Sequence, residues 1–416
     1  MCYHFYMEKI ELLLPAGNKE KLEYAIRYGA DAVYLGVVDF SLRAMRKGEL
    51  ITMENLKESI DLAHQLGKKA YLTLNIFAFN KDIHAMEDRM EKIAESNPDA
   101  LIISDVGVMR LARKYMESTP LHISTQANSL NYEAVKFWQD YGATRVILGR
   151  EVNINDMAEM KKTVPDMELE VFIHGAQCVS FSGRCLISDY MTNGERKANQ
   201  GNCCQPCRWS YKLVEETRPG QYYEIEQNER GTHIMSTKDL CLVNHLNKLI
   251  DAGVDSLKVE GRTKSLYYVS VVAKTYREAI DAVYADRNAD MTPYFNELLK
   301  VGNRGYTTGF YLGDGEYPND AYSYDVSKGL AGADFLCEVH DKDGDYYRIK
   351  TKNKFYINED VEIISPSEKF TTQALEMKKS DGEVIDCANT NDDLWVKFAQ
   401  PIEDYKFAIV RTVGIK

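Results

Sequence analysis

The sequence predicts an α/β protein whose main part is a TIM-like (β/α)8 barrel, followed by a small β domain. Eight short apolar runs alternate with amphipathic stretches between residues 11 and 262. Short runs without alternating polarity are typical of parallel strands buried on both faces. Several helical stretches also end in glycine just before the next run, as at Gly29, Gly67, Gly142 and Gly253, because glycine readily takes the left-handed conformation that ends a helix.

The predicted barrel strands, in chain order, cover residues 11–15, 31–36, 70–75, 100–104, 121–125, 145–149, 169–175 and 256–261. Helical patterns lie between them; in 53–64, Leu56, Ile60 and Ala63 recur at helical spacing. Eight strand–helix units in about 260 residues match a barrel better than an open doubly wound sheet. The open sheet is the alternative, and it has little support because no Gly-x-Gly-x-x-Gly follows the first strand.

The connection between the seventh and eighth predicted strands is unusually long. Strand seven ends near Gly175 and strand eight begins near Asp255, whereas most such loops have about 2–6 residues. The insertion, about 176–236, is rich in cysteine and aromatic residues, so we expect it to be ordered and functional. Its end, 237–251, has the pattern of a barrel helix leading to strand eight.

The last part of the chain changes to β patterning. Helical segments continue to about Leu299, and a Gly- and Tyr-rich passage covers 301–324. Alternating segments and Asp-Gly turns at 343–344 and 381–382 then indicate antiparallel hairpins. We therefore predict a barrel domain over 1–320, with the cysteine-rich insertion, and a small β-barrel-like or sandwich domain over 325–416.

Composition and charge restrict where the protein acts. With 416 residues, 44% hydrophobic and 27% charged, the chain has the composition of a soluble globular protein. It has no signal-peptide pattern at its start and no run of roughly 20 apolar residues, so we expect a cytoplasmic location and no membrane partner. The net charge of −12 disfavours general adhesion to nucleic acid, although a local basic patch lies near the cysteines.

Most of the nine cysteines are clustered along the chain, which points to metal or redox chemistry in a long cytosolic protein. The core pattern is Cys178-x6-Cys185-x17-Cys203-x3-Cys207. Four thiolates can hold zinc or a 4Fe–4S cluster. Structural zinc sites favour Cys-x2-Cys pairs, and only Cys204-x2-Cys207 has that spacing, so a cluster is favoured over zinc, with buried thiols or a redox pair as the remaining interpretation.

Two further cysteines are reserve ligands. Cys204 stands beside the pattern as an extra cysteine. Cys241 falls on the predicted helix before strand eight, where an ordinary buried cysteine is the simpler interpretation.

Polar residues at predicted strand ends are candidates for catalysis, because barrel chemistry occurs at the carboxyl ends of the strands. Lys258, Glu260 and Arg262 alternate along strand eight and therefore share one face. That face is either the packed interior, where they would form an ion pair, or the mouth, where Arg262 or Lys258 would bind a carboxylate. His174, at the end of strand seven, is a fourth catalytic candidate.

Other residues suit a nucleic-acid substrate. Gln126, at the end of strand five, could read a base edge, although short polar residues there also cap helices. Arg184, Arg208 and Trp209 place positive charge and an aromatic ring beside the cysteines. That combination suits the binding of an RNA loop with a splayed base. For Trp209, a packing role is an equally good interpretation.

Several segments resemble a known family, the collagenase-like peptidases (family 32 of the peptidases of unassigned mechanism). These segments are 11–17, 170–178, 182–188, 199–203, 205–209 and 257–265. The resemblance spans nearly the whole chain. Better-understood relatives are oxygen-independent hydroxylation proteins with a 4Fe–4S cluster, which act on tRNA wobble uridine with prephenate, on a ribosomal RNA cytidine, or in ubiquinone synthesis.

The resemblance implies an RNA-modifying enzyme that forms 5-hydroxyuridine in tRNA, with prephenate as co-substrate. The cluster ligands it implies are Cys178, Cys185, Cys203 and Cys207, and the expected partners are tRNA and the iron–sulfur assembly machinery. A hydroxylase of ribosomal RNA or of a small molecule is one alternative.

The other alternative is a peptidase with a structural metal site, such as zinc. A peptidase needs an activated nucleophile or a metal-bound water, and the sequence has no Gly-x-Ser-x-Gly or His-Glu-x-x-His. Cys178 and His174 could form a Cys–His pair, but metal ligation would remove that thiolate from nucleophilic work.

Overall fold

The structure, a computed structural model, describes residues 9–37, 40–41, 50–178, 185, 187–192, 195, 203–206, 226–228, 231–233, 237–313 and 331–414. The strands before the C-terminal part are β1 (Glu11–Pro15), β2 (Ala32–Leu35), β3 (Lys69–Leu74), β4 (Ala100–Ile103), β5 (Leu121–Ile123), β6 (Arg145–Ile147), β7 (Glu168–Ala176), β8 (Glu226–Asn228), β9 (Gly231–His233), β10 (Asp239–Cys241), β11 (Ser256–Val259) and β12 (Tyr306–Thr307). The helices are α1 (Lys19–Arg27), α2 (Leu56–Gln65), α3 (Asn80–Glu87), α4 (Met90–Glu95), α5 (Val106–Tyr115), α6 (Tyr132–Asp140), α7 (Ile154–Thr163), α8 (Ile187–Met191), α9 (Leu246–Asp251), α10 (Leu266–Ala285) and α11 (Thr292–Leu298).

Eight parallel strands form a closed barrel, which confirms the predicted fold. β1 to β7 pair in chain order, and β11 pairs in parallel with both β7 and β1. The apolar runs form these strands because both faces are buried; Leu12, Leu13 and Leu14 are each 0% exposed. Helices on the outside begin at capping side chains, as at α1, where Asn18 accepts a hydrogen bond from the Lys21 backbone N–H.

The segment 237–251 is not the single helix that the sequence predicts. Its first part is β10, which pairs antiparallel with the end of β7 (Leu240 opposite Gly175) and parallel with β12. β7 continues beyond its pairing with β6, so its last residues need other backbone partners, and β10 supplies them. A 3-10 helix follows at Val243–His245, and the α-helix begins at Leu246, so Cys241 lies on a strand and not on the predicted helix.

The C-terminal part is an antiparallel β barrel. Its strands are β13 (Phe335–Asp343), β14 (Tyr346–Thr351), β15 (Phe355–Tyr356), β16 (Asp360–Ile364), β17 (Lys369–Lys379), β18 (Val384–Ile385), β19 (Cys387–Ala388), β20 (Asp393–Phe398) and β21 (Ile409–Thr412). The sheet order is β16-β21-β13-β14-β20-β17-β18, and pairing of β16 with β17 closes it. The expected hairpins join β13 to β14 and β17 to β18.

The C-terminal barrel packs against the outside of the β/α barrel. The Tyr28 hydroxyl donates to the backbone oxygens of Ile364 and Phe407, and the rings of Tyr267 and Phe335 stack at 5.1 Å. Residues 314–330, which contain the predicted boundary near 320–325, lie outside the described part of the chain, so that boundary stays a prediction. Among the described residues, no helix is long and apolar enough to cross a bilayer.

Candidate functional site

A buried network of charged side chains lies inside the barrel, near the amino ends of the strands. Arg145 Nη1 lies 2.5 Å from Glu11 Oε1 and 3.0 Å from Glu170 Oε2, and Lys258 Nζ lies 2.6 Å from Glu170 Oε1. Burial raises the pKa of Glu11, but the charge of Arg145 and the hydrogen bonds from Arg145, Tyr71 and Ser256 together outweigh burial and leave that pKa below its ordinary value. Lys258 therefore belongs to the packed interior, which was the alternative to a catalytic role.

The two other candidates from strand eight lie beyond this network. The β11–β7 register shifts after Lys258 and β11 ends at Val259, so the regular alternation predicted as far as residue 261 does not continue. The Glu260 carboxylate faces Arg150, with Oε2 at 3.2 Å from Nη2. Arg150 Nη1 also donates to the Ala176 backbone oxygen at 2.9 Å, and its guanidinium carbon lies 4.1 Å from the centre of the Phe172 ring.

Arg262 reaches across the mouth to the ends of β2 and β3. Its guanidinium donates to the hydroxyls of Ser41 and Thr73 and to the Gly36 backbone oxygen. A Cβ on Gly36 would lie 2.3 Å from both hydroxyl oxygens, so only glycine allows the chain to pass this close. The contacts orient a guanidinium that is 6% exposed at the carboxyl end of the barrel.

His174 lies in a buried cluster of aromatic rings. Its ring centre is 5.8, 5.5 and 5.3 Å from those of Tyr268, Tyr276 and Tyr306. Nδ1 lies 3.3 Å from the Tyr276 hydroxyl. Burial, with a smaller contribution from the charge of Lys264, lowers the pKa of His174 to about 3. The side chain is therefore a neutral group packed among tyrosines.

Three of the predicted ligands are described, and they follow β7. Cys178 and Cys203 are exposed, and Cys185 is half-buried. The thiol sulfurs of Cys185 and Cys203 each accept a hydrogen bond from the backbone N–H two residues later, at 3.4 and 3.3 Å. Such bonds stabilise thiolate ligands and tune clusters bound to them. Cys207 lies outside the described residues.

The reserve cysteines have other partners. Cys204 is tied to Ser188 on α8, with Sγ at 3.3 Å and its backbone N–H at 3.0 Å from the hydroxyl oxygen. Cys241 is buried on β10, 3.8 Å from the Tyr276 hydroxyl, and burial raises the pKa of its thiol to about 11. A raised thiol pKa disfavours the thiolate that a metal needs.

The donor chemistry at this site fits a thiolate-bound metal. Cys178 follows the carboxyl end of β7, and backbone N–H groups donate to the sulfurs of Cys185 and Cys203. Within the described ranges, no three His, Cys, Asp or Glu side chains are grouped closely enough to hold a metal ion. The fit therefore rests on residue type, exposure and hydrogen bonding.

The RNA-binding candidates are described only in part. Gln126 is half-buried on a 3-10 turn after β5, and its backbone N–H lies 3.4 Å from the Ser124 hydroxyl oxygen. Arg184, Arg208 and Trp209 lie outside the described residues.

Comparison with known proteins identifies the family. Residues 17–320 match Peptidase family U32, and residues 332–411 match the Peptidase family U32 C-terminal domain. The chain belongs to peptidase family U32. This confirms the resemblance noted in the sequence, and the match covers both parts of the fold.

Relatives of this U32 chain carry names from two kinds of chemistry. tRNA hydroxylation protein P of Escherichia coli is 37% identical over 441 residues, covering 95% of each chain. The 23S rRNA 5-hydroxycytidine C2501 synthase of Escherichia coli is 36% identical and covers 67% of this chain and 40% of that protein. A protein named collagenase, from Porphyromonas gingivalis, is 34% identical over 73% of each chain.

Several residues of the U32 site are not evident from sequence. Ser41 and Thr73 hold Arg262, and Tyr276 and Tyr311 donate to the backbone oxygens of Ile173 and Phe172 in β7. They come from distant parts of the chain, so only the closed barrel brings them together. The one available signal is the abundance of tyrosine, 27 residues, part of it in the passage after Leu299.

Proposed function

We propose that this U32 protein is an RNA-modifying enzyme that hydroxylates the wobble uridine of tRNA to 5-hydroxyuridine, independently of oxygen and with a prephenate-like donor. The observation that carries the proposal is the 37% identity to tRNA hydroxylation protein P over 95% of each chain. The function implies tRNA as partner, iron–sulfur assembly machinery for maturation, and a cytoplasmic location.

We assign a 4Fe–4S cluster to Cys178, Cys185, Cys203 and Cys207. The exposure of Cys178 and Cys203 and the backbone N–H donors to the sulfurs of Cys185 and Cys203 support this choice. When bound, the cluster supplies electron-transfer or Lewis-acid chemistry next to the substrate. We leave Cys204 out of the ligand set because it stands beside the cysteine pattern that the resemblance implies.

The residues at the mouth suit an anionic donor. A guanidinium fork matches a carboxylate, which makes Arg262 the residue that binds a carboxylate of a prephenate-like molecule. Ser41, Thr73 and Gly36 fix its orientation through their oxygens. Glu260 contributes a carboxylate at the same end of the barrel. This carboxylate accepts a hydrogen bond from a hydroxyl of the prephenate-like molecule or from an N–H of the RNA base.

Proteolysis, the competing function, has less support from the site. A cysteine peptidase needs a histidine within hydrogen-bond reach of the thiol, but His174 is enclosed by tyrosines and kept neutral by burial. A structural zinc would use the same thiols, because backbone N–H bonds favour any thiolate ligand.

Nucleoside analysis tests the proposed function. In a strain lacking the gene, we expect 5-hydroxyuridine derivatives to disappear from tRNA and to return with the wild-type gene. The C204S gene should restore them, and the C185S gene should not. Unchanged derivatives in the deletion strain would contradict the proposal, and loss of a hydroxycytidine from ribosomal RNA instead would favour the ribosomal alternative. Cleavage of gelatin by the purified protein, absent in C185S, would favour the peptidase.

A further inference from the structure

The carboxyl end of β7 is held by side chains from four other segments. Tyr311 and Tyr276 donate to the backbone oxygens of Phe172 and Ile173 at 2.7 and 3.1 Å. Arg150 donates to Ala176, and the Thr237 hydroxyl donates to Gln177 at 3.0 Å. These anchored carbonyls lead directly to Cys178. The position at which the predicted ligand leaves the barrel is therefore set by side chains outside the cysteine-rich insertion.

Arg150 differs from the other three donors because it also binds the carboxylate of Glu260. One nitrogen binds the Ala176 oxygen at 2.9 Å and the other binds the Glu260 carboxylate at 3.2 Å. The guanidinium also lies on the Phe172 ring at 4.1 Å, and the Arg150 and Glu260 side chains are 14% and 8% exposed. Stacking and burial restrict the guanidinium to the orientation in which its fork spans both acceptors.

The backbones of Gly175 and Glu260 lie close together, so the Arg150 guanidinium can reach both of its acceptors. Gly175 has a φ of +102°, and a Cβ there would lie 2.5 Å from the Glu260 backbone oxygen. Glu260 N–H in turn donates to the His174 oxygen at 2.9 Å. The ends of β7 and β11 thus touch through their backbones, and Arg150 adds a side-chain link from the cysteine segment to the Glu260 carboxylate.

We propose that Arg150 is a positioning residue that holds the peptide entering Cys178 and the carboxylate of Glu260 in one fixed arrangement. The inference deepens the proposed function and rests on it for the roles of Cys178 and Glu260. Without the two hydrogen bonds of the Arg150 guanidinium, the Ala176 peptide, which leads to Cys178, loses this side-chain link to the Glu260 carboxylate. The reaction then slows even though the barrel stays folded and the thiols are unchanged.

Hydrogen exchange on the full-length, anaerobically purified protein tests this role. R150Q removes the positive charge and the two-pronged guanidinium. R150K keeps the charge but cannot bind the Ala176 oxygen and the Glu260 carboxylate together. R277Q is the matched control, because Arg277 is 19% exposed and pairs with Asp31, which precedes β2 at the opposite end of the barrel. For R150Q we expect amide exchange in the peptide 175–178 to be about tenfold faster than in wild type, with an intermediate value for R150K and no change for R277Q.

Two further measurements separate positioning from general stability. The thermal midpoint of R150Q should fall no further than that of R277Q, and the electron paramagnetic resonance spectrum of the reduced protein should shift only in the Arg150 variants. Exchange at 175–178 within twofold of wild type in R150Q, or in R150K if R150Q does not fold, would overturn the positioning role. Because exchange needs neither RNA nor turnover, a wild-type protein that lacks hydroxylation activity would count against the proposed function alone.

Discussion

Lys258 is the residue for which burial changes the functional interpretation most. Its ammonium group lies 2.6 Å from Glu170 Oε1 and 4.5 Å from the centre of the Tyr34 ring, with 5% of the side chain exposed. A buried cation with a buried carboxylate partner contributes specificity to the core, and removing one partner leaves the other without compensation. The alternation of side chains along the strand could predict that Lys258 points into the barrel. It could not predict whether Lys258 lies in the packed core or at the mouth.

The K258M substitution should lower the free energy of unfolding by about 3–5 kcal/mol, because it leaves the Glu170 carboxylate buried beside Arg145 alone. The double variant K258M/E170M should recover most of the loss, since an apolar pair of similar volume is usually tolerated there. Urea unfolding measures both. If the loss in the double variant equals the sum of the losses in K258M and E170M, the pair is not coupled. Hydroxylation by the stable double variant would exclude a catalytic role for Lys258.

His174 makes stability depend on pH in a defined direction. Its pKa in the folded protein is about 3, below the ordinary 6.5, so the unfolded chain binds a proton that the folded chain does not. Stability is complete above pH 6.5 and falls as the pH decreases towards 3. By about pH 4 we expect a loss of about 1–3 kcal/mol from this residue. The H174F variant should show a shallower pH slope, and part of the remaining slope comes from buried His122. Identical slopes in both proteins would contradict this prediction.

At the level of elements, the end of β7 depends on a glycine. Gly175 has a φ of +102°, and an added Cβ would lie 2.5 Å from the Glu260 oxygen and 2.9 Å from the Tyr268 hydroxyl. G175A should therefore destabilise the protein by about 2–3 kcal/mol. G302A is the control, because a Cβ there meets nothing within 4 Å, and its effect should stay within about 0.5 kcal/mol. Thermal unfolding of the two variants compares them, and equal midpoints would refute the close approach.

The sequence predicted the barrel strands well because parallel strands buried on both faces leave a strong local pattern. It missed β10, since Thr237–Leu242 contains apolar residues at spacings compatible with a helix, and only the unpaired end of β7 selects a strand there. It also grouped Lys258, Glu260 and Arg262 on one face. The register shift after Lys258 instead sends them to Glu170, Arg150 and the Ser41–Thr73 pair. Such partners depend on closure of the barrel, which leaves no local signal.

At the scale of the whole molecule, a buried ion cluster joins the two barrels. Arg411 in β21 pairs with Glu297 in α11 and with Glu362 in β16, and it donates to the Tyr267 hydroxyl at 3.2 Å. Arg411 is 0% exposed. A charge cluster of this kind requires both domains in place, so the C-terminal barrel and the β/α barrel stabilise one another.

Acid should weaken this contact. Burial raises the pKa of Glu297, but the charges of Arg411, Lys369 and Lys300 and the hydrogen bond from Lys369 together outweigh burial and lower that pKa to about 2 from 4.5. Its contribution is therefore complete above pH 4.5 and is lost as the pH falls towards 2. We expect the wild type to lose about 1–3 kcal/mol more than E297Q between about pH 5 and 3, as measured by urea unfolding at each pH. Parallel pH profiles for the two proteins would contradict the prediction.

Metal analysis of anaerobically purified protein is the decisive test of the proposed iron binding by the thiols that follow β7. We expect about four irons per chain in the wild type, with absorbance near ~400 nm. The C204S variant should keep both, and C185S should lose both. A wild-type protein that contains zinc and no iron, or a C185S variant with the full iron content, would contradict the claim.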